Sequence, residues 1–206
     1  NGTWQFKAGA GSWTAFDFTA NSGKGLLLDS ADSIRFVPNS NYNGTISSGL
    51  TFYAWDKSSG SVGSYLTISG NTGGSGSLSS SSDTVSIQVS AVNDVPARTA
   101  GTLSAINVSE DSTNSTATTL GLSAVTYGPG GGSDESGQTL TYTVTAIPSF
   151  VTLYKSDGTT QVSVNGTVTA AELQGLKYKT VADANGSGNL TWTVTDNGGG
   201  TNTLTE

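Results

Sequence analysis

The sequence predicts an all-β fold made of tandem β-sandwich repeats, and three observations support this. Apolar and polar residues alternate with period two in several short segments, as they do in half-buried strands. Asn-Gly and Asp-Gly pairs, which favour turns, separate such segments. The pattern of residues 50–56 also recurs as residues 190–196. A chain that repeats itself at long range is usually an array of similar domains. The alternating segments are residues 84–89, 139–144 and 189–194.

The repeat extends upstream of that match. Residues 34–37 correspond to residues 176–179, and Asn43-Gly44 corresponds to Asn185-Gly186 at the same offset. Helix is nearly absent from the pattern. The one candidate is a single turn over residues 169–173, where Thr169 and Glu172 have the spacing of a capping box.

The boundary between the repeats is predicted at residues 91–96, because Pro96 cannot continue a strand ladder. We therefore expect a partial repeat over residues 1–92, a linker over 93–97 and a second repeat over 98–206. Residues 57–82 form a Gly/Ser-rich insertion in the first repeat. Such composition favours a plain solvated loop, with a loop that touches a partner as the alternative.

The two repeats are expected to be incomplete at opposite ends. Aligning Asp83 with Asn202 leaves the second repeat without most of its last strand. The first repeat begins near the counterpart of residues 149–151 and lacks everything that matches 98–147. Exposed edges and apolar faces are avoided in natural β proteins. We therefore expect another segment or copy to supply the missing strands.

Composition excludes several classes of function. The 206 residues contain no Cys, His or Met, so thiolate or imidazole metal sites and Ser-His or Cys-His nucleophile pairs cannot form. The net charge of −7 argues against binding to nucleic acid or to anionic membranes. No apolar run approaches the roughly 20 residues that span a bilayer, so no membrane insertion is expected. Because no two acids share a strand face, as glycoside hydrolysis would need, we expect no enzyme activity.

Acidic residues group at the predicted domain ends. They lie in the linker, after the strand-like stretch 106–109, in the loop before residue 139, and at the end of the strand 189–194. Carboxylate and amide oxygens are hard ligands, of which Ca²⁺ takes about six to eight. The acids therefore predict a calcium site, and solubility of a chain poor in charge is the alternative. They are Asp94, Glu110, Asp111, Asp134, Glu135 and Asp196, with Asn93 beside the first.

The linker Val92-Asn93-Asp94-Val95-Pro96 resembles the inter-repeat motif of cadherins. It is closely similar to the linker of cadherin-like repeats in giant bacterial surface proteins. Residues 127–132 and 195–199 also resemble segments of such repeats. The resemblance implies Greek-key sandwiches of the cadherin-like or immunoglobulin-like kind, arranged end to end, with Ca²⁺ bound between consecutive domains.

The same resemblance assigns ligands to the ion. The linker residues Asn93 and Asp94 match the family motif, whereas Asp134 and Glu135 match its acidic loop only loosely, because they are adjacent rather than alternating. The remaining matches are the late-strand Asp196, its first-repeat counterpart Asp56, and Glu110, which would serve the next junction downstream.

Two classes of function follow from the sequence. The first is a structural repeat of an extracellular, cell-surface adhesin or filament, whose partners are neighbouring repeats or copies. The second is a module that binds glycan or peptide through the insertion or an aromatic cluster near the chain start. The cluster alternates as strands do, which favours a core role. Its residues are Trp4, Phe6, Trp13, Phe16 and Phe18.

Overall fold

A computed structural model describes residues 1–111, 115–200 and 202–206, and these are almost entirely strands and turns. The chain divides into two compact units, Asn1–Ala91 and Val92–Glu206. The division falls within residues 91–96, the boundary region expected from the sequence. Residues 93–97, which the sequence suggested as a separate linker, group with the second unit. The predicted all-β class is confirmed.

The first unit has seven strands, which form three antiparallel sheets. The sheet orders are β2-β1-β4, β3-β6 and β5-β7. The strands are β1 (Gly2–Lys7), β2 (Thr14–Ala15), β3 (Lys24–Leu26), β4 (Ser33–Pro38), β5 (Gly44–Phe52), β6 (Tyr65–Thr67) and β7 (Asp83–Val89).

Within residues 92–111, 115–200 and 202–206, the second unit has ten strands, one helix and a short 3-10 helix over Ser133–Glu135. Its antiparallel sheets have the orders β10-β8, β14-β11-β16-β17 and β13-β12-β15-β9. The elements are β8 (Ala97–Ala100), β9 (Thr118–Thr119), β10 (Thr126–Gly128), β11 (Leu140–Ala146), β12 (Val151–Tyr154), β13 (Gln161–Val162), β14 (Thr167–Val168), α1 (Ala170–Gln174), β15 (Lys177–Thr180), β16 (Thr191–Asp196) and β17 (Thr203–Thr205).

The two units share strand order and register. The order β2-β1-β4 repeats as β13-β12-β15. Trp4 lies opposite Phe36 in the first unit, and Leu153 lies opposite Tyr178 in the second. Phe36 and Tyr178 are also counterparts in the sequence match of residues 34–37 with 176–179. The internal repeat found in the sequence is therefore also a repeat of topology.

The sequence alignment of the last strand is wrong by several residues. Phe52 lies opposite Asp83, whereas its counterpart Trp192 exchanges backbone hydrogen bonds with Glu206. Asp83 therefore corresponds to Glu206 and not to Asn202. Four residues earlier, Ser79 then corresponds to Asn202. The insertion of the first unit therefore ends nearer to Asp56 than the sequence alignment predicts.

The buried core belongs almost entirely to the second unit. Among the described residues, Leu27 and Leu78 are the buried hydrophobic side chains of the first unit, and all the others lie in the second. Side chains from both four-stranded sheets meet in this core, which gives the second unit a sandwich-like build. The core comprises Leu122, Val125, Tyr142, Val144, Leu153, Val162, Val168, Leu173, Leu176, Trp192 and Val194.

The aromatic residues near the chain start do not form a buried core. Trp4, Phe6, Trp13 and Phe16 are only partly buried, and Phe18 is 51% exposed. The core role favoured by their alternation is therefore wrong. The strand pattern itself is confirmed for Trp4 and Phe6, which lie in β1.

The predicted helical turn is confirmed, and so is its capping box. Thr169 accepts a hydrogen bond from the N–H of Glu172 at 3.2 Å, and the Glu172 carboxylate accepts one from the N–H of Thr169 at 2.8 Å. Lys155 also donates to Glu172 at 2.7 Å. The turn buries Leu173, which is 1% exposed, and this packing holds a helix too short to be stable alone.

The Gly/Ser-rich insertion is not a plain solvated loop. It contributes β6, which pairs with β3 from Lys24 opposite Thr67 to Leu26 opposite Tyr65. Leu78, at its end, is 6% exposed and forms bridges with Trp55 and Thr72. The short run Tyr65-Leu66-Thr67 supplies this strand, and the surrounding Gly and Ser residues conceal it in the composition.

None of the helices in the described part of the chain has the length and apolar character needed to cross a membrane.

Candidate metal centre

Polar side chains from three segments of the second unit meet at the start of that unit. Asn93 and Asp94 open the unit, Glu135 ends the 3-10 helix that precedes β11, and Asp196 ends β16. Gln138 lies between Glu135 and β11. Loops at one end of a sandwich thus bring together residues that are far apart in sequence.

Glu135 has the most unusual environment of this group. Its side chain is 1% exposed, and one carboxylate oxygen, Oε1, accepts a hydrogen bond from the N–H of Asp94. The other oxygen, Oε2, is buried without a hydrogen-bond partner. A buried charged oxygen without a partner is costly, so its presence in a native structure requires a physical reason.

The unpartnered oxygen of Glu135 lies close to the carboxylate of Asp94, and Gly131 makes this approach possible. A Cβ atom at Gly131 would lie 2.7 Å from Asp94 Oδ2 and closer still to Glu135 Oε2. Gly131 also has a φ of 42°, in the left-handed region that glycine adopts most readily. Two carboxylate oxygens therefore face the same small space beside a backbone without a side chain.

Asp196 is also buried, at 4% exposure, and is held by backbone and amide donors. The N–H of Gly198 donates to Asp196 Oδ1 at 2.8 Å. The Asn93 amide Nδ2 lies 3.3 Å from Asp196 Oδ1 and 3.5 Å from Oδ2. Gln138 Nε2 donates to Asn93 Oδ1 at 2.7 Å, while Gln138 Oε1 is buried without a hydrogen-bond partner.

The cluster therefore offers oxygen atoms of the kind that Ca²⁺ prefers. Glu135 Oε2 and Gln138 Oε1 are both buried and unpartnered, and Asp94 Oδ2 lies beside the first of them. Carboxylate and amide oxygens suit a hard cation with flexible coordination. Even so, across residues 1–111, 115–200 and 202–206 no group of three or more acidic side chains is gathered closely enough to hold a metal ion. These oxygen atoms suit calcium chemically, but they do not lie close enough together to form a coordination shell.

The structure brings together four of the residues suggested by the sequence: Asn93, Asp94, Glu135 and Asp196. Gln138 was missed, because a glutamine in a loop carries no distinctive sequence signal. Its position three residues after an acidic pair, directly before a strand, is the only cue that was available.

Asp134 and Glu110 are not part of this cluster. Asp134 is exposed, although its neighbour Glu135 is buried. Glu110 Oε2 accepts a hydrogen bond from Asn185 Nδ2 at 3.4 Å, and Asp111 Oδ1 accepts one from the N–H of Asp183 at 3.1 Å. These contacts tie residues 110–111 to the loop between β15 and β16.

Asp56 repeats the local turn of Asp196 without its burial. The N–H of Ser58 donates to Asp56 Oδ1 at 2.8 Å, as Gly198 does to Asp196. Hydrogen bonds from Ser58, first from its side chain and then from its backbone, hold the pKa of Asp56 below its ordinary value. Asp56 is exposed, so the two counterparts share a turn but not an environment.

In comparisons with known proteins, no family model, curated protein or solved structure matches the chain.

Proposed function

We propose that this chain is a structural repeat of an extracellular adhesin or filament on a bacterial surface, stiffened by calcium bound in its second unit. The observation that supports this most directly is the buried, unpartnered Oε2 of Glu135 beside Asp94 Oδ2. A divalent cation would supply the missing partner for both oxygens. It would also neutralise the charge that burial makes costly.

The residues that would hold the ion are Asp94, Glu135, Gln138 and Asp196. The amide oxygen of Asn93 would be a further ligand. The amide of Asn93 now presents its Nδ2 to Asp196, so a turn of that amide would present its oxygen instead. Bound calcium would then fix the entry segment 93–94 to the loops before β11 and after β16. A fixed entry segment limits the angles at which the chain can enter the second unit.

The repeated topology also supports a structural role. The two units share strand order and the register of the pairs Trp4–Phe36 and Leu153–Tyr178. Arrays of such units are built for reach and attachment more often than for chemistry. Neighbouring repeats are accordingly the partners we propose first.

Small-angle X-ray scattering tests this role directly. We expect the chain in calcium to scatter as a rod of fixed maximum dimension, because the bound ion pins the entry segment. In chelator the same chain should sample a broader range of dimensions. The matched control is Glu135→Gln, which removes the key charge and should scatter identically with and without calcium. A compact pair of units, or wild-type scattering that is indifferent to chelator, contradicts the proposal.

A glycan-binding module is the second candidate, and the aromatic surface of the first unit, formed by Trp13, Phe16 and Phe18, favours it. Phe18 is 51% exposed and stacks on Phe16 with ring centroids 5.2 Å apart. The Trp13 ring lies beneath Arg35, whose guanidinium carbon is 4.2 Å from the ring centroid. Aromatic rings that are wholly or partly exposed can stack on sugars.

Binding to a glycan array distinguishes this second candidate from a purely structural role. If the aromatic surface binds glycan, Trp13→Ala and Phe18→Ala should each abolish the signal that the wild-type chain gives. Phe52→Ala, an exposed aromatic residue on β5, is the matched control and should leave the signal unchanged. Absence of any wild-type signal, or equal loss in all three variants, excludes the aromatic surface as a glycan site.

A further inference from the structure

Equivalent sheets of the two units concentrate positive charge in an acidic chain. The strands of the sheet β2-β1-β4 and of its counterpart β13-β12-β15 contain no Asp or Glu. Half of the 8 basic residues of the chain lie in them, although the net charge is −7. The acidic residues all lie elsewhere, so these two sheets differ in charge from the rest of the protein. The four basic residues are Lys7, Arg35, Lys177 and Lys179.

The second unit shows that its two lysines lie on the outer face of the sheet. Lys177 lies opposite Tyr154 on β12, and Lys179 is two residues further along β15. Between the lysines, Tyr178 is buried at 4% exposure. Because successive side chains of a strand point to opposite faces, the lysines point away from the core. Lys179 Nζ lies 5.2 Å from the centroid of the Tyr154 ring, within the range of a cation–π contact.

The first unit repeats this arrangement with different residues. Arg35, the counterpart of Lys177 in the sequence match, lies opposite Gln5, the position that Tyr154 has in the second unit. Its guanidinium carbon is 4.2 Å from the centroid of the Trp13 ring, and Lys7 Nζ is 5.5 Å from the same centroid. Arg35 Nε also donates to Gln5 Oε1 at 2.8 Å. The outer face of each sheet therefore carries two cations and one aromatic ring. We call these two surfaces the cationic faces.

The cations of these faces are not neutralised from within the protein. In the part of the chain that the structure describes, none of the four forms an ion pair with a carboxylate. Asp32 and Asp157, in loops beside the sheets, accept hydrogen bonds from backbone N–H groups instead. The contacts of Arg35 with Trp13 and Gln5 hold its guanidinium in place, so its two terminal nitrogens can be presented to an external anion.

We infer that the cationic faces bind an acidic polysaccharide, whose anionic groups contact Arg35 in the first unit and Lys177 and Lys179 in the second. A guanidinium binds a carboxylate or sulfate through two parallel hydrogen bonds. The adjacent Trp13 and Tyr154 rings add apolar surface that a sugar ring can contact. This inference names the ligand class for the glycan-binding candidate, on which it rests, and it does not depend on calcium.

The number and spacing of the cations favour a polysaccharide over nucleic acid. Duplex DNA carries one charge per about 1.7 Å of helix axis, and proteins that bind it neutralise many phosphates. Each unit here offers only two cations on one face, and acidic loops surround the sheets. A polymer with one charge on each sugar ring is less dense in charge and needs fewer cations. The cationic faces therefore suit a sugar acid better than a phosphate backbone.

Biolayer interferometry of the full chain on immobilised polygalacturonate tests the inference. Chelator is present throughout, so that calcium cannot bridge carboxylates. We expect binding that weakens as salt rises, and no binding to neutral dextran. Arg35→Gln should weaken binding about tenfold, because charge-assisted hydrogen bonds are lost. Lys24→Gln removes the same charge from an exposed position on β3, outside these sheets, and should leave binding unchanged.

Two further arms test the second unit and the anionic group. Combining Arg35→Gln with Lys179→Gln should remove binding, because each unit then loses a cation held beside an aromatic ring. Dextran sulfate replaces the carboxylates of polygalacturonate by sulfates. Tighter binding of either polymer supports the inference and identifies the anionic group.

Four outcomes would overturn the inference. The first is no binding to either acidic polymer at protein concentrations up to about 1 mM, a range that detects weak binding. The second is equal loss in Arg35→Gln and Lys24→Gln, which would mean attraction to overall charge. The third is equal binding to polyglutamate or to a single-stranded oligonucleotide, which would mean recognition of charge without sugar. The fourth is self-association without polymer that Arg35→Gln removes, which would assign the face to a second, acidic copy of the chain.

The same variants separate this inference from the glycan-binding candidate. A glycan-array signal that Phe18→Ala abolishes and Arg35→Gln leaves intact would keep that candidate and overturn the acidic ligand class. Because chelator is present in the polymer experiments, none of their results bears on calcium, which the scattering experiment tests separately.

Discussion

Calcium at about one hundred times its dissociation constant is expected to raise the free energy of unfolding by about 2.7 kcal/mol, since the ion binds only the folded second unit. For a unit of this size the melting temperature should rise by about 10 °C. The effect should be large because the ion would relieve a buried carboxylate oxygen that has no partner. Differential scanning calorimetry in calcium and in chelator measures it.

Glu135→Gln gives the sharpest form of this test. The variant keeps the side-chain shape and can still accept the hydrogen bond from the N–H of Asp94. In chelator it should melt above the wild type, because an uncompensated buried charge is gone. In calcium it should show no further rise. Asp134→Asn, which removes an exposed charge next to it, should respond to calcium as the wild type does. A wild-type shift that persists in Glu135→Gln would rule out this carboxylate as a ligand.

The second large effect is a difference between counterpart core positions. Trp192→Ala should lower the free energy of unfolding of the second unit by about 3–5 kcal/mol, because it empties a buried site. It also removes the hydrogen bond from the indole N–H to the Tyr127 hydroxyl, 3.1 Å long. Phe52→Ala should cost under about 1 kcal/mol, because this side chain is half exposed. Urea denaturation of both variants measures the difference.

Leu204→Ala serves as an intermediate control for this comparison, since Leu204 is only partly buried against the same core. Its cost should lie between those of the other two variants. Equal losses for Trp192→Ala and Phe52→Ala would show that the first unit buries its counterpart core in solution.

The sequence predicted element type better than register. Alternation identified the strands that became β7, β11 and β16, and spacing identified the capping box of α1. The last strand was misaligned because residues 79–86 are mostly Ser, Thr and Asp. Such a segment has few apolar side chains to fix which residue faces the core, so its register cannot be deduced from pattern.

Only part of the candidate site can be predicted from the sequence, for a related reason. Asp94, Glu135 and Asp196 could be suggested because they are acids at the ends of predicted strands. Which of Asp134 and Glu135 turns inward depends on the 3-10 helix, whose short turn leaves no periodic signal in the sequence. The orphaned oxygen of Gln138 depends on packing between loops, which local sequence does not encode.

The absence of a side chain at Gly131 has a consequence for how the sequences of other such repeats are interpreted. Any side chain there would occupy the space where the entry segment's carboxylate and the loop's carboxylate approach each other. A repeat with a larger residue at this position must therefore keep the two acids apart, whatever its other residues are. The position can serve as a sequence criterion that separates junctions able to gather negative charge from junctions that only connect one unit to the next.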